Sequence, residues 1–303
     1  MRPVNASASA PGFWIRATPL LFVFFWSTGF IAAKAGLLHA GPMTFLLLRF
    51  ALVVALMLPI TLAFRAPWPS TPMQWVHIAV VGLLVQGGYL GGVFSAIHAG
   101  LAAGLAALIC GLQPILTAFI AAPVLGERVT RRQWTGLLLG LAGVALVLEQ
   151  KLDFSGASVF SVGLVLVALV SITVGTVYQK RFCPTFDLRS GSVIQFVAAA
   201  FLLLPFALLT ETLAVDWTPS FVIALLHLVL VLSIVSISLL ALIIRRGAAT
   251  QVASLFYLTP PVTAVEAWLL FDETLGGWAL AGMVLAVAGV ALVVNQGGQR
   301  TGR

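Results

Sequence analysis

Long apolar runs alternate with short polar breaks along almost the whole chain. Each run approaches the roughly 20 apolar residues that a helix needs to cross the hydrocarbon core of a bilayer. The breaks contain Gly and Pro, which are typical of turns. Backbone groups in lipid must be satisfied within the structure, so helices are expected. The pattern predicts ten transmembrane helices, at 14–37, 43–64, 73–97, 101–123, 132–149, 158–181, 187–210, 219–244, 248–270 and 276–295.

Composition excludes a soluble protein of this length. Of 303 residues, 61% are hydrophobic and only 8% are charged, whereas soluble domains carry about 25% charged residues. The two cysteines, Cys110 and Cys183, have no spacing that indicates a disulfide framework or a metal site. We therefore expect an all-α polytopic membrane protein without a metal or other cofactor.

The basic residues define a direction across the membrane. The net charge of +7 would suggest a nucleic-acid partner in a soluble protein, but these residues occupy short loops between apolar runs. With the N-terminus inside, 13 of the 16 Lys and Arg residues fall on the inner side, two (Lys34 and Lys151) on the outer side, and Arg49 within a span. The positive-inside rule then predicts both termini in the cytoplasm, and no nucleic acid is expected as a partner.

The sequence aligns with itself after a shift of 146 residues. The segment AGVALV at 142–147 returns at 288–293. Each half holds five predicted spans, an odd number, so the halves are expected to enter the membrane from opposite sides as an inverted repeat. The polar, Pro and Gly matches are Lys34 with Lys180, Gly29 with Gly175, Pro59 with Pro205, Pro114 with Pro260, Glu127 with Glu273, and Gly136 with Gly282.

These repeated motifs carry a resemblance to a known family. The chain resembles the drug/metabolite transporter (DMT) superfamily in its ten-helix form with two EamA domains, at 14–149 and 158–295. The resemblance covers nearly the full length and implies secondary transport. The residues that carry it are Trp26-Ser27 with Lys34, then Gln113-Pro114, Gly126-Glu127, Gly136 and Ala142-Gly143-Val144, which return as Thr259-Pro260, Asp272-Glu273, Gly282 and Ala288-Gly289-Val290.

The resemblance implies an inner-membrane exporter of a small-molecule substrate by alternating access, with amino acids or their derivatives as the first expectation. Exporters of lipophilic or cationic drugs are the alternative within transport, and a lipid scramblase or passive pore is the alternative outside it. Membrane lipid surrounds such a chain, and protons are the default coupling ion. The small residues Gly136 and Gly140 favour helix packing within one monomer, with a dimer interface as the alternative.

Two charged residues lie deep in predicted spans rather than near span ends. Arg49 and Glu266 lie at similar depth in the outer half, and each costs at least about 2.5–3.5 kcal/mol in lipid unless it is paired or hydrated. Snorkelling to the headgroups is one interpretation of each. The other is a cavity-facing role in which Arg49 and Glu266 together bind a zwitterionic substrate, with Glu266 as the leading proton carrier.

The other predicted substrate-binding residues are polar or aromatic, and each is as typical of helix packing as of a binding site. Gln86 and Tyr89 are three residues apart, a spacing that places them on one helical face. Pro114 and Pro260 are predicted hinges, because a membrane proline frees a carbonyl and often marks a broken span. The remaining members of the predicted site are Trp26, Gln113, Tyr178, Tyr257 and Thr259.

Matched charges also occupy helix ends. Lys34 and Lys180 are interpreted as interfacial caps, and Glu127 and Glu273 as carboxylates that favour the N-terminus of the helix that follows each of them. The sequence contains no Walker motif, no His-Glu-x-x-His motif and no clustered acid, thiol and histidine set. An enzyme is therefore not expected.

Overall fold

A computed structural model describes residues 13–149, 157–271 and 276–294, and these residues form helices without a β-strand. Lys151, Asp272 and Glu273 lie outside the described residues. The helices are α1 (Phe13–Leu37), α2 (Pro42–Ala63), α3 (Pro72–Val81), α4 (Gly91–His98), α5 (Ala103–Cys110), α6 (Gln113–Leu125), α7 (Arg131–Leu148), α8 (Val159–Phe182), α9 (Leu188–Thr210), α10 (Pro219–His227), α11 (Ile237–Arg246), α12 (Ala249–Ser254), α13 (Thr259–Phe271) and α14 (Gly277–Val294).

Within these described ranges, eight stretches are long and apolar enough to cross a membrane. They are Ala17–Leu37, Pro42–Ala63, Pro72–His98, Gly104–Leu125, Val159–Phe182, Leu188–Thr210, Pro219–Arg246 and Gly277–Val294. The other two predicted spans correspond to α7, which begins with two arginines, and to 249–271, which is divided by a 3-10 turn at Leu255–Leu258.

Two long helices contain π-helical segments at matched positions. The first π segment (Gly82–Leu90) joins α3 to α4, and the second π segment (Leu228–Ser236) joins α10 to α11. In the second, the Ser233 and Ser236 hydroxyls donate to carbonyls five residues earlier, at 3.0 and 3.1 Å, as the wider register allows. Such segments are rare and occur frequently at functional sites.

The small residues of α7 and α14 form a close helix–helix contact within the chain. A Cβ on Gly136 would lie 2.6 Å from the Gly289 carbonyl oxygen, and one on Gly143 would lie 2.6 Å from that of Gly282. Any larger side chain would force the two backbones apart. This contact is the helix packing within one monomer that the sequence favours.

Several other helix pairs join the first half of the chain (13–149) to the second half (157–294). Helix α2 packs against α9, α1 against α13, and α8 against α6. The first π segment contacts α8 and α9, and the second contacts α1 and α2. Buried aliphatic and aromatic side chains from both parts form one large core.

Two carboxylates cap helices across this interface. Glu211, after α9, accepts hydrogen bonds from the Met43 and Thr44 backbone amides, both at 2.8 Å, at the start of α2. Glu127 accepts from the Ala249 amide at 2.8 Å, at the start of α12. The expectation that Glu127 serves the following helix is wrong, because the Thr130 hydroxyl and Gln133 side chain cap α7 instead.

Candidate functional site

A polar cavity lies between α8, α9, α11 and the first π segment. Its volume is about 10 Å³, which is room for about one water molecule. Its wall combines carboxamides and hydroxyls with apolar side chains, which is unusual inside a bundle that is apolar almost throughout. The polar residues of the wall are Gln86, Gln179, Gln195, Ser192 and Ser238, and its apolar residues include Phe186 and Leu188.

Gln86 is the least satisfied polar group of this wall. Its side chain is 0% exposed, and neither its amide nitrogen nor its carbonyl oxygen has a hydrogen-bond partner among the described residues. A buried amide without a partner costs about 1–3 kcal/mol. Its amide group therefore has a hydrogen-bonding capacity that no described residue uses.

Arg49 forms a second polar centre between α2 and the second π segment. Arg49 is 3% exposed, and its Nε donates to the Ser233 hydroxyl at 2.8 Å. Tyr89 and His227 lie close enough to interact electrostatically with it. His227 Nε2 is in turn 2.8 Å from the Thr28 hydroxyl. Tyr89 is thus associated with Arg49, whereas Gln86 lines the cavity. The shared helical face expected for these two residues stays a prediction.

Glu266 is the second buried charged residue of the predicted site. It is 6% exposed on α13, and neither carboxylate oxygen has a hydrogen-bond partner among the described residues. No ion pair or other electrostatic interaction joins it to Arg49 in the described structure. The expectation that Arg49 and Glu266 together bind a substrate stays a prediction.

Three other predicted residues gather around α1 and the start of α13. Trp26 packs edge-on against Phe256, with ring centroids 5.4 Å apart. The Ser27 hydroxyl lies 3.3 Å from the Thr259 carbonyl oxygen. The Tyr257 ring lies against Gly140 of α7, and its buried hydroxyl has no partner in the described part of the chain.

The last predicted residues lie near α8 and the helix breaks. Tyr178 hydrogen-bonds His77 Nδ1 at 2.7 Å, and the Gln113 amide lies 3.5 Å from the Thr176 hydroxyl. Pro114 and Pro260 occupy the second positions of α6 and α13, directly after the turn at Gly111–Leu112 and the 3-10 turn. Both prolines therefore mark helix restarts, where a missing backbone N–H costs least.

The sequence interpretation missed Gln179, Gln195, Ser192 and Ser238 of the cavity wall, and Ser233 beside Arg49. A signal for the glutamines was present, because a carboxamide in an apolar span is costly without a partner. The serines carried none, since a hydroxyl bonds readily to its own helix, as Ser192 does to the Leu188 carbonyl at 2.6 Å.

Several apolar helices with a polar cavity between them define a multi-pass α-helical membrane protein. The sequence signature of the EamA-like transporter family matches residues 14–149 and 159–295. The chain belongs to this family, within the drug/metabolite transporter superfamily, as its repeated motifs indicate.

Similar proteins span nearly the same length. The chain is 30% identical to a "Probable amino-acid metabolite efflux pump" of Salmonella typhimurium (strain LT2), over 94% of this chain and 95% of that protein. It is 27% identical to a protein of the same description from Escherichia coli (strain K12), over 91% and 93%. A solved crystal structure matches with a TM-score of 0.74 at 22% identity, over 92% of this chain and 95% of the other. That last likeness shows the fold alone.

Proposed function

We propose that this chain is a secondary exporter of small polar metabolites, amino acids or their derivatives first. The observation that carries the proposal is the polar cavity, in which the buried Gln86 amide lacks a protein partner. The efflux pumps similar to this chain support the substrate class. The absence of a carboxylate from the cavity wall disfavours a lipophilic cation as the substrate.

The proposed architecture is ten transmembrane helices in two inverted halves, 14–149 and 158–295. The two π segments support it, because the offset of 146 that aligns the sequence with itself also separates both their first and their last residues. The packing of α1 on α13 and of α8 on α6 is the reciprocal pattern that a twofold axis would generate. Two such copies can exchange conformations, which is the basis of alternating access.

The ion pair between Lys180 and Glu127 supports a closed state on the side that we propose to be cytoplasmic. It joins the end of α8 to the end of α6, where α6 also packs on α12. The residues matched to this pair by the repeat are Lys34 and Glu273. Lys34 is exposed and has no ion-pair partner among the described residues. We expect Lys34 and Glu273 to pair in the opposite state.

The proposed location is the inner membrane, with both termini cytoplasmic, on the distribution of basic residues. Reporter fusions after Arg65, Arg132 and Arg189 should report the cytoplasm, and one after Lys151 the exterior. An external signal from the Arg132 fusion would reverse the orientation.

Transport is tested by efflux of radiolabelled amino acids, their acylated derivatives and cationic drugs from proteoliposomes, with and without a pH gradient. We expect polar metabolites to cross and a pH gradient to accelerate them, with Glu266→Gln removing the acceleration. Export of cationic drugs alone would refute the metabolite proposal. Lipid movement without solute movement would favour a scramblase.

A further inference from the structure

Arg49 is a buried cation whose position is fixed by one neutral partner. Its Nε donates to the Ser233 hydroxyl at 2.8 Å, and that hydroxyl donates its single proton to the Leu228 carbonyl at 3.0 Å. The hydroxyl therefore serves as an acceptor for Arg49. This contact orients the guanidinium and leaves the two Nη groups without a hydrogen-bond partner among the described residues.

The carboxylates elsewhere in the described structure are engaged or distant. Asp187 pairs with Arg189, Asp216 with His39, and Glu127 with Lys180. Glu211 caps α2, and Glu149 is exposed at the end of α7. Glu266 has no electrostatic interaction with Arg49. The described protein therefore supplies no counter-ion to Arg49.

A buried charge without a counter-ion is destabilising by several kcal/mol. A membrane protein that retains one has a use for it, and the free Nη edge of a guanidinium is the group best suited to bind a carboxylate through two parallel hydrogen bonds. Lys would provide only a point charge here, without that fork.

We propose that Arg49 binds the carboxylate of the ligand, and that this ligand carries no free ammonium group. The inference rests on the proposed function and narrows its substrate class to amino-acid derivatives with a blocked amine and to other small carboxylates with a neutral polar remainder.

The exclusion of the ammonium follows from the short distance between the carboxylate and the ammonium of an α-amino acid. In an α-amino acid, one carbon joins the carboxylate to the ammonium, so a site for the zwitterion needs an anion directly beside Arg49. The charged or titratable neighbours of Arg49 are Tyr89 and His227, and neither is a carboxylate. A zwitterion bound there would bring an uncompensated positive charge into the membrane interior.

Three probes on one scaffold test the inference: N-acetyl-L-alanine is an anion, L-alanine a zwitterion and L-alaninamide a cation. Equilibrium binding to the purified full-length protein in nanodiscs is measured by calorimetry. We expect N-acetyl-L-alanine to bind at least tenfold more tightly than either of the others. Arg49→Gln should weaken its binding at least tenfold, and Arg49→Lys and Ser233→Ala by a smaller factor. Arg65→Gln, on the exposed turn after the same helix, is the matched control and should not change it.

Tighter binding of L-alanine or L-alaninamide, or absence of binding by all three probes, overturns the inference. So does wild-type affinity of Arg49→Gln for N-acetyl-L-alanine. If Arg49→Gln does not fold, as judged by gel filtration, an unchanged affinity of Ser233→Ala overturns it instead. Efflux of the same probes from proteoliposomes separates the two proposals. Efflux of L-alanine without binding of N-acetyl-L-alanine supports the proposed transport and refutes the anion site. Arg49-dependent binding of N-acetyl-L-alanine without efflux of any probe supports the anion site and refutes the proposed transport.

Discussion

Lys180 Nζ lies 3.3 Å from Glu127 Oε1, and the same carboxylate oxygen accepts the Ala249 amide at 2.8 Å. Lys180 also donates to the Gly247 carbonyl. One carboxylate and one ammonium thus join the end of α6, the end of α8 and the start of α12. Both side chains are partly buried, so salt screens this contact less than it would a fully exposed pair.

Glu127→Gln or Lys180→Gln should open this side of the protein, because each removes a contact that holds α12 against α6. The measurement is the rate at which a cytoplasmic, membrane-impermeant maleimide labels Cys substituted for Ser238 in a protein without Cys110 and Cys183. We expect labelling to rise several-fold, and the charge swap Glu127→Lys with Lys180→Glu to restore part of the protection. Arg128→Gln, an exposed neighbour, is the control, and an equal effect of that change would refute the role of the ion pair.

Replacing Gln86 should separate stability from activity. Because the Gln86 amide is buried without a protein partner, Gln86→Leu removes a desolvation cost and should leave the free energy of unfolding unchanged or raise it by about 1–3 kcal/mol. Efflux in proteoliposomes should be lost. Gln133→Leu is the contrasting variant, since Gln133 caps α7 through the Thr130 amide at 2.8 Å and its loss should destabilise. A strong destabilisation by Gln86→Leu would indicate a structural role for that amide.

The contact between α7 and α14 should tolerate no added methyl group. At Gly143, a Cβ would lie 2.6 Å from the Gly282 carbonyl oxygen, so we expect Gly143→Ala to lower the free energy of unfolding by about 1–3 kcal/mol. Gly163→Ala, in α8, is the matched control because nothing lies within 4 Å of its added Cβ. The helix propensity of Ala should make that change neutral or slightly stabilising. Thermal unfolding in detergent measures the stability of both variants, and an equal change in the two would contradict the predicted close packing.

Asp187 should make stability depend on pH at the start of α9. Hydrogen bonds from Arg189, at 2.8 and 3.0 Å, hold the pKa of Asp187 below its usual value. A lowered pKa means that the stabilisation is complete above the unfolded-state pKa and disappears as pH falls through the folded-state pKa. Asp187→Asn should therefore cost up to about 1 kcal/mol at pH 7 and nothing at strongly acidic pH. Unfolding curves across that range measure the difference.

Much of the fold is predictable from the sequence because the bilayer imposes one requirement on every segment. Apolar runs of the right length, separated by Gly and Pro, indicate helices, and α1, α2, α8 and α9 follow the predicted spans within one or two residues. The family was equally recognisable from the sequence, since matches of Lys, Pro and Glu between the two halves at one constant offset are improbable in an apolar chain. The spacing of Gly136 and Gly140 indicated a close helix contact within the chain, and α7 makes that contact with α14.

The tertiary structure decided which side chains meet. Similar depth suggested that Arg49 and Glu266 bind one substrate together, but depth does not specify the rotation of a helix. Only the structure gave Ser233 as the partner of Arg49 and left the Glu266 carboxylate oxygens without a partner among the described residues. Gln86 was recognisable as a polar residue in a span, yet its cavity needed glutamines from α8 and α9, far away in sequence. Apolar patterning specifies what enters the membrane because lipid is nearly uniform, but polar contacts depend on directional geometry that only the packed helices create.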